Sequence, residues 1–423
     1  PPAAGAAKPR GPVASLIIIP LQHTTIMDDL LINLVNASQP SIIKVIGVGG
    51  GGGNAVAHMY RNGNFADVNF LVCNADAKAL EISPVPDQLQ LGNDGLGAGG
   101  KPEIGRQLAE ESIDSIRRVL DPHTKMLFIT AGMGGGTGTG AAPVIAREAR
   151  KRGILTVGIV TIPFRFEGIR KIDKALDGVD AMAAQADALI VINNELLREN
   201  YQNYSVTEGF QRADDTLSIA VKSIVDIITM HGKMILDFRD VYNTLHDGGI
   251  AVMSTGYASG EGRVARAIAD ALNSPFVCRR DIYKSRKILM SISTSTAHNL
   301  MIYEMNDINA FMLNFEDKYI ETKYGLATDE SLGDRVKVTL LASGFALPNK
   351  EKQETVIHFS EEDIRRVFRR KQHYGNEAAT RPTRHLCLFN TDELDNDALL
   401  QYVEETPTQL RRQPVPEHLR THS

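Results

Sequence analysis

Hydrophobic and polar positions follow a regular alternation from residue 41 onward. Short apolar runs such as IIKVIGV and VNFLVCN are separated by segments such as NAVAHMYRNG, in which apolar residues recur three or four positions apart. The runs predict strands buried on both faces, and the segments between them predict amphipathic helices. The first half of the chain is therefore expected to be an α/β domain, a doubly wound parallel sheet of Rossmann-like form.

The pattern changes twice further along the chain. The segment GFQRADDTLSIAVKSIVDIITM predicts a long central helix, and mixed segments such as KSRKILMSISTS predict a second, smaller α+β domain. The polar, Pro- and Arg-rich end lacks a core-building period, so little fixed structure is expected over 346–423. We expect a flexible N-terminal arm 1–40, an α/β domain 41–204, a central connecting helix 205–232, an α+β domain 233–345, a linker 346–400 and a C-terminal tail 401–423.

Composition excludes several classes of protein. A chain of 423 residues with 43% hydrophobic content can bury large cores, and a net charge of −5 gives no general attraction to nucleic acid. Three cysteines without CxxC spacing indicate neither a disulfide framework nor a zinc site. The apolar run near Pro20 is too short to span a bilayer, so a flexible arm is favoured over a signal peptide.

Three glycine-rich loops carry the candidate chemistry. They are GVGGGGGN at 47–54, DGLGAGGKPE at 94–103 and GMGGGTGTGAA at 132–142. The carboxyl ends of parallel strands meet at one edge of an open sheet, where such sheets bind ligands. Glycines there let backbone N–H groups and helix N-termini approach a phosphate closely. A tight turn explains any one loop, but the three together predict a nucleotide site.

The loops leave two nucleotide chemistries open. No Walker A motif is present, so the phosphate charge must be met by backbone N–H groups, helix dipoles, hydroxyls such as Thr137 and Thr139, and a metal ion. The first loop also matches GxGxxG, and Asp76 ends the second strand at a distance suited to a ribose. An NAD-dependent oxidoreductase is therefore an alternative, although it has no use for a second glycine-rich loop.

Across roughly residues 41–345 the sequence resembles the FtsZ family, the bacterial tubulin-like cell-division GTPases. The resemblance rests on GVGGGGGN, GLGAG, AGMGGGTGTGAAP, PFRFEG, RADDTL and LDFRDV, in the family's order, and GGGTGTG corresponds to the tubulin signature loop. It implies a tubulin-like GTPase fold and a cytoplasmic protein that binds and hydrolyses GTP. It also implies head-to-tail filaments that form the division ring at midcell, on the inner face of the membrane.

The resemblance also implies the residues that bind GTP or GDP. Glu167 would hydrogen-bond the ribose, with Lys171 beside it. Asn194 and Asp214 would bind guanine, and Phe210 would stack on the ring. Magnesium would be held mainly by the nucleotide phosphates. The phosphates themselves would lie on the glycine loops, at Gly50, Gly51, Gly52, Gly53, Asn54, Gly97, Ala98, Gly99, Gly136, Thr137 and Gly138.

An acidic pair lies in the segment LDFRDV. Asp237 and Asp240 are three residues apart at the start of a predicted helix, which places both carboxylates on one face. Such a pair suits a metal ion or a polarised water, and it equally suits a helix cap. The resemblance implies that the pair is catalytic and completes the site of the next subunit, so that hydrolysis follows assembly.

Two departures from the family pattern affect the expected site, one the rate of hydrolysis and the other, through a lost hydroxyl beside the nucleotide, the affinity. Ile235 replaces an asparagine that is usual in the family, and Ala75 replaces a common threonine. Since Ile235 cannot donate a hydrogen bond to phosphate or water, slow turnover is expected. A nucleotide-dependent polymer with very weak hydrolysis is therefore an alternative function.

The C-terminal region suggests partners other than the chain itself. EETPTQLRR, at 404–412, resembles the peptide by which such proteins bind membrane-anchoring and regulatory division proteins. EEDIRRVFRRKQH, at 361–373, is expected to be a solvated helix in a linker. The alternative is contact with an anionic membrane or a protein partner.

Overall fold

The computed structural model describes most of the chain between residues 41 and 375. The chain divides into the units Pro1–Ser41 and Ile42–Ser423, and the elements below all lie in the second. The expected arm 1–40, the tail 401–423 and most of the linker 346–400 lie outside the described residues. The described residues are 41–63, 65, 67–196, 205–230, 232–273, 282–315, 320–345 and 361–375, with the backbone alone at 206 and 361–364.

The first sheet has seven strands, all parallel to their neighbours. Its strands are β1 (Ile43–Val48), β2 (Val68–Asn74), β3 (Gln88–Gln90), β4 (Met126–Gly132), β5 (Leu155–Ile162), β6 (Ala188–Asn193) and β8 (Gly249–Ile250). Their order is β3-β2-β1-β4-β5-β6-β8. Strands β4, β5 and β6 are buried almost throughout because helices cover both faces. The predicted doubly wound parallel sheet is confirmed.

Among the described residues, six α-helices lie in the connections from β1 to β6. They are α1 (Gly49–Asn62), α2 (Ala77–Glu81), α3 (Pro102–Glu111), α4 (Ile113–Val119), α5 (Thr137–Lys151) and α6 (Ile169–Ala183). The sequence pattern predicts a single helix where the structure has α3 and α4. The break lies at Ser112, whose Oγ accepts a hydrogen bond from the Gly92 N–H at 2.8 Å. A contact with a distant loop therefore overrides the helical period.

A 24-residue helix, α7 (Val206–Thr229), joins the two domains. Its first turn is stabilised by a capping box, in which the Glu208 N–H donates to Ser205 Oγ at 3.3 Å and the Ser205 N–H donates to Glu208 Oε2 at 2.7 Å. Its buried residues Leu217, Val221 and Ile224 belong to one hydrophobic cluster with residues of both sheets. The helix therefore shares its core with both domains.

The second domain is built on a mixed five-stranded sheet. Its strands are β7 (Gly232–Met234), β9 (Val252–Ser259), β10 (Lys287–Thr294), β11 (Glu321–Thr328) and β12 (Arg335–Ser343), in the order β7-β11-β10-β12-β9. Strands β10 and β11 are parallel, and the other pairs are antiparallel. Its helices are α8 (Phe238–Leu245), α9 (Arg263–Leu272) and α10 (Met305–Met312). The smaller α+β domain is thus confirmed.

A last helix, α11 (Glu361–Tyr374), differs from the expectation of a solvated linker helix. It packs on α6, and its residues Arg370 and Tyr374 are only 5% and 6% exposed. Two basic residues of this segment, Arg369 and Arg370, ion-pair with aspartates of α6 that are distant in sequence. A local pattern cannot reveal such partners, so the sequence indicated a solvated face.

No helix in the described part of the chain combines the length and apolar character that crossing a bilayer requires.

The contact between β9 and α9 provides a test of the second domain. A Cβ added at Gly256 would lie 2.1 Å from the Ala267 carbonyl oxygen and 2.3 Å from the Ala271 nitrogen. Neither backbone atom can rotate away, so we expect Gly256→Ala to lower the free energy of unfolding by about 1–3 kcal/mol. Urea unfolding followed by circular dichroism measures this change.

Gly209→Ala is the matched control, because a Cβ there meets only Phe164 Cζ, at an ordinary 3.6 Å. Within α7 this change should be neutral or stabilise by up to about 1 kcal/mol. Equal unfolding midpoints for the two variants would contradict the described packing of α9.

Candidate nucleotide-binding site

The glycine loops after β1 and β4 bring two helix N-termini together at the carboxyl edge of the parallel sheet. A Cβ added at Gly49 would lie 2.8 Å from the Gly138 nitrogen, and one at Gly51 would lie 3.2 Å from Gly132 Cα. Helices α1 and α5 therefore begin in backbone contact. The first turn of each helix has N–H groups without helical partners, and both helix dipoles are positive here. The arrangement favours an anion.

A cavity of about 490 Å³ opens beside these helix N-termini. Its volume is in the range of cofactor and substrate sites. An adjoining cavity of about 670 Å³ shares Gly50, Asn54 and Asp214 with it and also includes Gly53. The first cavity is lined at one end by Gly50, Gly51, Gly135, Gly136, Thr137 and Gly138, and at the other by Glu167, Lys171, Asn194, Phe210 and Asp214.

The glycines of the signature loop have two different reasons to be glycine. A Cβ at Gly136 would lie 2.8 Å from Ala98 Cβ, and one at Gly138 would lie 2.8 Å from the Gly132 carbonyl oxygen. These positions are glycine because two chain segments pack there. A Cβ at Gly135 or Gly50 would meet nothing within 4 Å. Only these two therefore combine free space with a place in the lining of the first cavity.

Some of the expected phosphate residues line neither cavity. Gly97, Ala98 and Gly99 form a turn in which the two glycines have positive φ, of 78° and 55°, and buried Ala98 packs under Gly136. Gly52 lies against the Thr130 carbonyl oxygen, where a Cβ would approach to 2.1 Å. These residues therefore support the glycine loops by packing against them and do not line the cavities.

The far end of the cavity carries acceptors that lack partners. Asn194 is 4% exposed, and its Oδ1 has no hydrogen-bond partner among the described residues. Burial, together with the neighbouring charge of Asp215, raises the pKa of Asp214 to about 7. Phe210 is half-exposed and stands edge-on to Phe164, with ring centroids 5.3 Å apart. A flat ring with N–H donors fits these groups.

Glu167 and Lys171, which line the same cavity, form an ion pair. The Phe164 N–H also donates to Glu167 Oε1 at 2.9 Å. This hydrogen bond fixes the Glu167 carboxylate against the backbone of its own loop, 163–168, which follows β5. The expected ribose contact would use the remaining acceptor capacity of Glu167.

The acidic pair lies elsewhere. Asp237 and Asp240 line neither cavity and form the capping box at the start of α8. The Asp240 N–H donates to Asp237 Oδ1 at 3.0 Å, and the Asp237 N–H donates to Asp240 Oδ2 at 3.2 Å. Asp240 also ion-pairs with Lys323 at 3.3 Å. The structure thus confirms that the two aspartates cap a helix, and the Asp237 side chain is exposed.

Two groups bear on metal binding. The glycine end of the first cavity offers backbone groups, Thr137 and Asn54 but no carboxylate, so a magnesium ion fits there only with the phosphates of a nucleotide. Asp187, His246 and Asp247 cluster elsewhere, and Arg150 ion-pairs with both aspartates. An arginine therefore already supplies the positive charge in that cluster.

Sequence reasoning missed part of the lining. Gly135, Thr161 and Pro163 line the first cavity but were not among the expected site residues. The position of Thr161 near the carboxyl end of β5 was the available signal, because that edge binds the ligand.

The fold and the site together define a tubulin-like GTPase. The GTPase domain of the Tubulin/FtsZ family matches residues 42–202, and the C-terminal domain of the FtsZ family matches residues 249–346. The chain belongs to the FtsZ family. It binds GTP or GDP and is a GTPase.

Individual relatives match this chain over most of its length. The cell division protein FtsZ of Porphyromonas gingivalis is 46% identical over 408 residues, which cover 91% of this chain and 89% of the relative. That of Pseudomonas aeruginosa is 39% identical and covers 89% and 98% of the two chains. The solved FtsZ dimer of M. jannaschii superposes with a TM-score of 0.65 at 34% identity, over 75% of this chain and 92% of that one.

Gly135→Ala tests the anion-binding end without disturbing the packing. The added methyl group would enter the cavity lining and meet no protein atom within 4 Å. We expect nucleotide affinity to fall about tenfold or more, as overpacking a preformed site costs about 1–3 kcal/mol, with the unfolding midpoint unchanged. Fluorescent GDP titration measures the affinity. Unchanged affinity would mean that the loop is only a turn.

The raised pKa of Asp214 makes affinity depend on pH. We expect guanine N–H groups to donate to the ionised carboxylate of Asp214, so protonation of that carboxylate below about pH 7 should compete with binding of the base. From pH 8 to pH 6 the dissociation constant for GDP should rise about tenfold. The terminal phosphate of GDP also titrates, but its contribution to the pH dependence of binding is the same for every variant. Asp214→Asn should therefore bind more weakly and lose most of the pH dependence, and an equal dependence would contradict this role.

Proposed function

We propose that this protein is a GTP-hydrolysing cytoskeletal protein that polymerises head to tail into the filaments of the cell-division ring. The observation that carries the proposal is the cavity itself. Two helix N-termini converge on its lining, which also includes the buried Asn194, with an unpartnered Oδ1, and the partly buried Asp214. Such a cavity suits a ligand that is anionic at one end and presents N–H donors at the other.

GTP would fit this cavity in one orientation, with its phosphates at the helix N-termini and its base at Asn194 and Asp214. Its phosphates would lie on the backbone N–H groups around Gly135 to Gly138, with Thr137 adding a hydroxyl. The ribose would lie against Glu167. The guanine N–H and exocyclic amine would donate to Asp214, whereas adenine does not present that pair of donors. Binding of guanine nucleotides in preference to adenine nucleotides follows.

The oxidoreductase alternative is disfavoured by Asp76. Its carboxylate caps α2, accepting from the Lys78 N–H at 3.0 Å, and it lines neither cavity. A ribose-binding acid of a dinucleotide site would need to lie free at the cavity.

The described cavity lacks a group that could activate water beside the phosphates. Its lining carboxylates, Glu167 and Asp214, lie at the ribose and base end. We therefore assign this task to Asp237 and Asp240 of a second copy, whose exposed helix N-terminus would face the glycine loops. Electrostatic preorganisation around the attacking water would then appear only in the filament. Magnesium carried by the phosphates would stabilise the developing charge.

Ile235 affects the rate of this step. Its side chain is 66% exposed two residues before Asp237 and cannot hydrogen-bond to water or phosphate. Slow turnover is consistent with this residue, and a polymer with very weak hydrolysis is the second candidate function. The segment 404–412 would bind membrane-anchoring and regulatory partners, which would place the filaments in the cytoplasm at the inner face of the membrane.

Phosphate release measured against protein concentration tests the divided site. If the acids come from a second copy, release should show a concentration threshold and then rise with polymer. Asp237→Ser keeps a helix cap but removes the carboxylate, and Asp240→Asn removes the charge. Each should lower turnover at least tenfold, about 1.4 kcal/mol of transition-state stabilisation, with GTP affinity nearly intact.

Asp329→Ser is the matched control. Asp329 also caps a helical turn in the second domain, accepting from the Ser331 N–H at 3.0 Å, and turnover should stay normal. Turnover strictly proportional to protein at all concentrations, with active Asp237→Ser and Asp240→Asn variants, would show that the catalytic group lies within one chain.

A further inference from the structure

Helix α11 is joined to the nucleotide cavity through the loop 163–168. The Tyr374 hydroxyl donates to the Pro163 carbonyl oxygen at 2.7 Å, and Pro163 itself lines the cavity. The Asn193 side-chain amide donates to the His373 carbonyl oxygen at 2.6 Å. The C-terminal end of α11 thus contacts the ends of β5 and β6, beside the expected ribose and base contacts.

Two arginines fix α11 along α6. Arg370 makes a bidentate ion pair with Asp173, with N–O distances of 2.6 and 2.8 Å. Arg369 bridges Asp177 and Asp180 at 2.7 and 2.6 Å. The three aspartates are spaced four and three residues apart, so they form one stripe along α6. Bidentate pairs of this kind specify geometry as well as attraction.

The apolar contact is equally specific. Tyr374 is 6% exposed and belongs to the hydrophobic core that covers one face of the parallel sheet. Val367 and Phe368, nearer the start of α11, are 39% and 52% exposed. The helix therefore presents a defined face to α6 and is part of the folded domain.

The loop 163–168 is held at several points, of which Tyr374 is one. The Arg165 N–H donates to Glu195 Oε2 at 3.0 Å, and the Glu195 N–H donates to Asn193 Oδ1 at 2.9 Å. Asn193 in turn binds the backbone of α11. A continuous chain of hydrogen bonds therefore runs from α11 to the loop that carries Glu167.

We propose that α11 is a brace for the nucleotide site, in which Tyr374 and Arg370 are positioning residues that slow the release of GTP or GDP. This proposal rests on the proposed function, since it assigns the braced loop to the ribose side of that nucleotide. The chain continues from α11 to 404–412, the expected partner-binding segment. In the sequence, α11 thus precedes that segment, and a partner that undocks the helix would speed nucleotide exchange.

Release of fluorescent mant-GDP from the full-length protein tests the brace. Tyr374→Phe keeps the ring in the core and removes only the hydroxyl, so dissociation should be about fivefold faster with the unfolding midpoint little changed. Arg370→Ala should have a larger effect. Combining Arg370→Asp with Asp173→Arg should restore slow release if the pair acts through its contact. Hydrogen exchange of the amides of 164–168 should rise in the two single variants.

A matched control exists for each of the two residue types, tyrosine and arginine. Tyr303→Phe removes the hydroxyl of a tyrosine that is 67% exposed in the second domain, and Arg365→Ala removes an exposed arginine from α11 itself. Neither should change mant-GDP release. Normal release from Tyr374→Phe and Arg370→Ala would overturn the brace, whether or not exchange in the loop rises. Failure of the unaltered chain to bind mant-GDP would instead contradict the proposed function, and the brace with it.

Discussion

The contact between the N-termini of α1 and α5 is the constraint on which the rest of the structure depends. A Cβ at Gly49 would lie 2.8 Å from the Gly138 nitrogen, and one at Gly138 would lie 2.8 Å from the Gly132 carbonyl oxygen, so neither position accommodates a side chain. The approach brings the positive ends of two helix dipoles together, which is unfavourable without an anion between or beside them. The fold tolerates this because both helices pack on a sheet that is buried on both faces. The binding site is therefore a consequence of how the first domain is assembled.

Equally close backbone packing occurs behind the glycine loops, between α3 and α5. A Cβ at Gly140 would lie 2.0 Å from the Pro102 carbonyl oxygen, and one at Gly105 would lie 2.4 Å from the Gly136 carbonyl oxygen. Helix α3 thus packs directly on the backbone of α5. The run of glycines reflects helix packing as much as ligand binding, and among the signature-loop glycines that line the cavity only Gly135 has no atom within 4 Å of an added Cβ.

Much of the fold was accessible from the sequence because it depends on local pattern. Buried parallel strands are continuous apolar runs, and the capping box at Ser205 marks the start of α7. Features that depend on distant partners were not accessible. Ser112 breaks a helix because of Gly92, and α11 docks because of aspartates on α6. The sequence likewise identified the glycine loops but could not say which glycines face the ligand.

The two ends of the cavity differ in how they are held in place, and this has consequences for regulation. The phosphate end is made of backbone fixed by helix packing, so it has little freedom to adjust. The ribose and base end is made of side chains and of the loop 163–168, which contacts Asn193 and Tyr374 through hydrogen bonds. Asp214 in that end titrates near neutral pH. Affinity would come chiefly from the rigid end, whereas pH and the C-terminal helix can act only on the adjustable one. Under the proposed assignment, any control of nucleotide exchange from within one chain therefore has to act on the end expected to bind the guanosine.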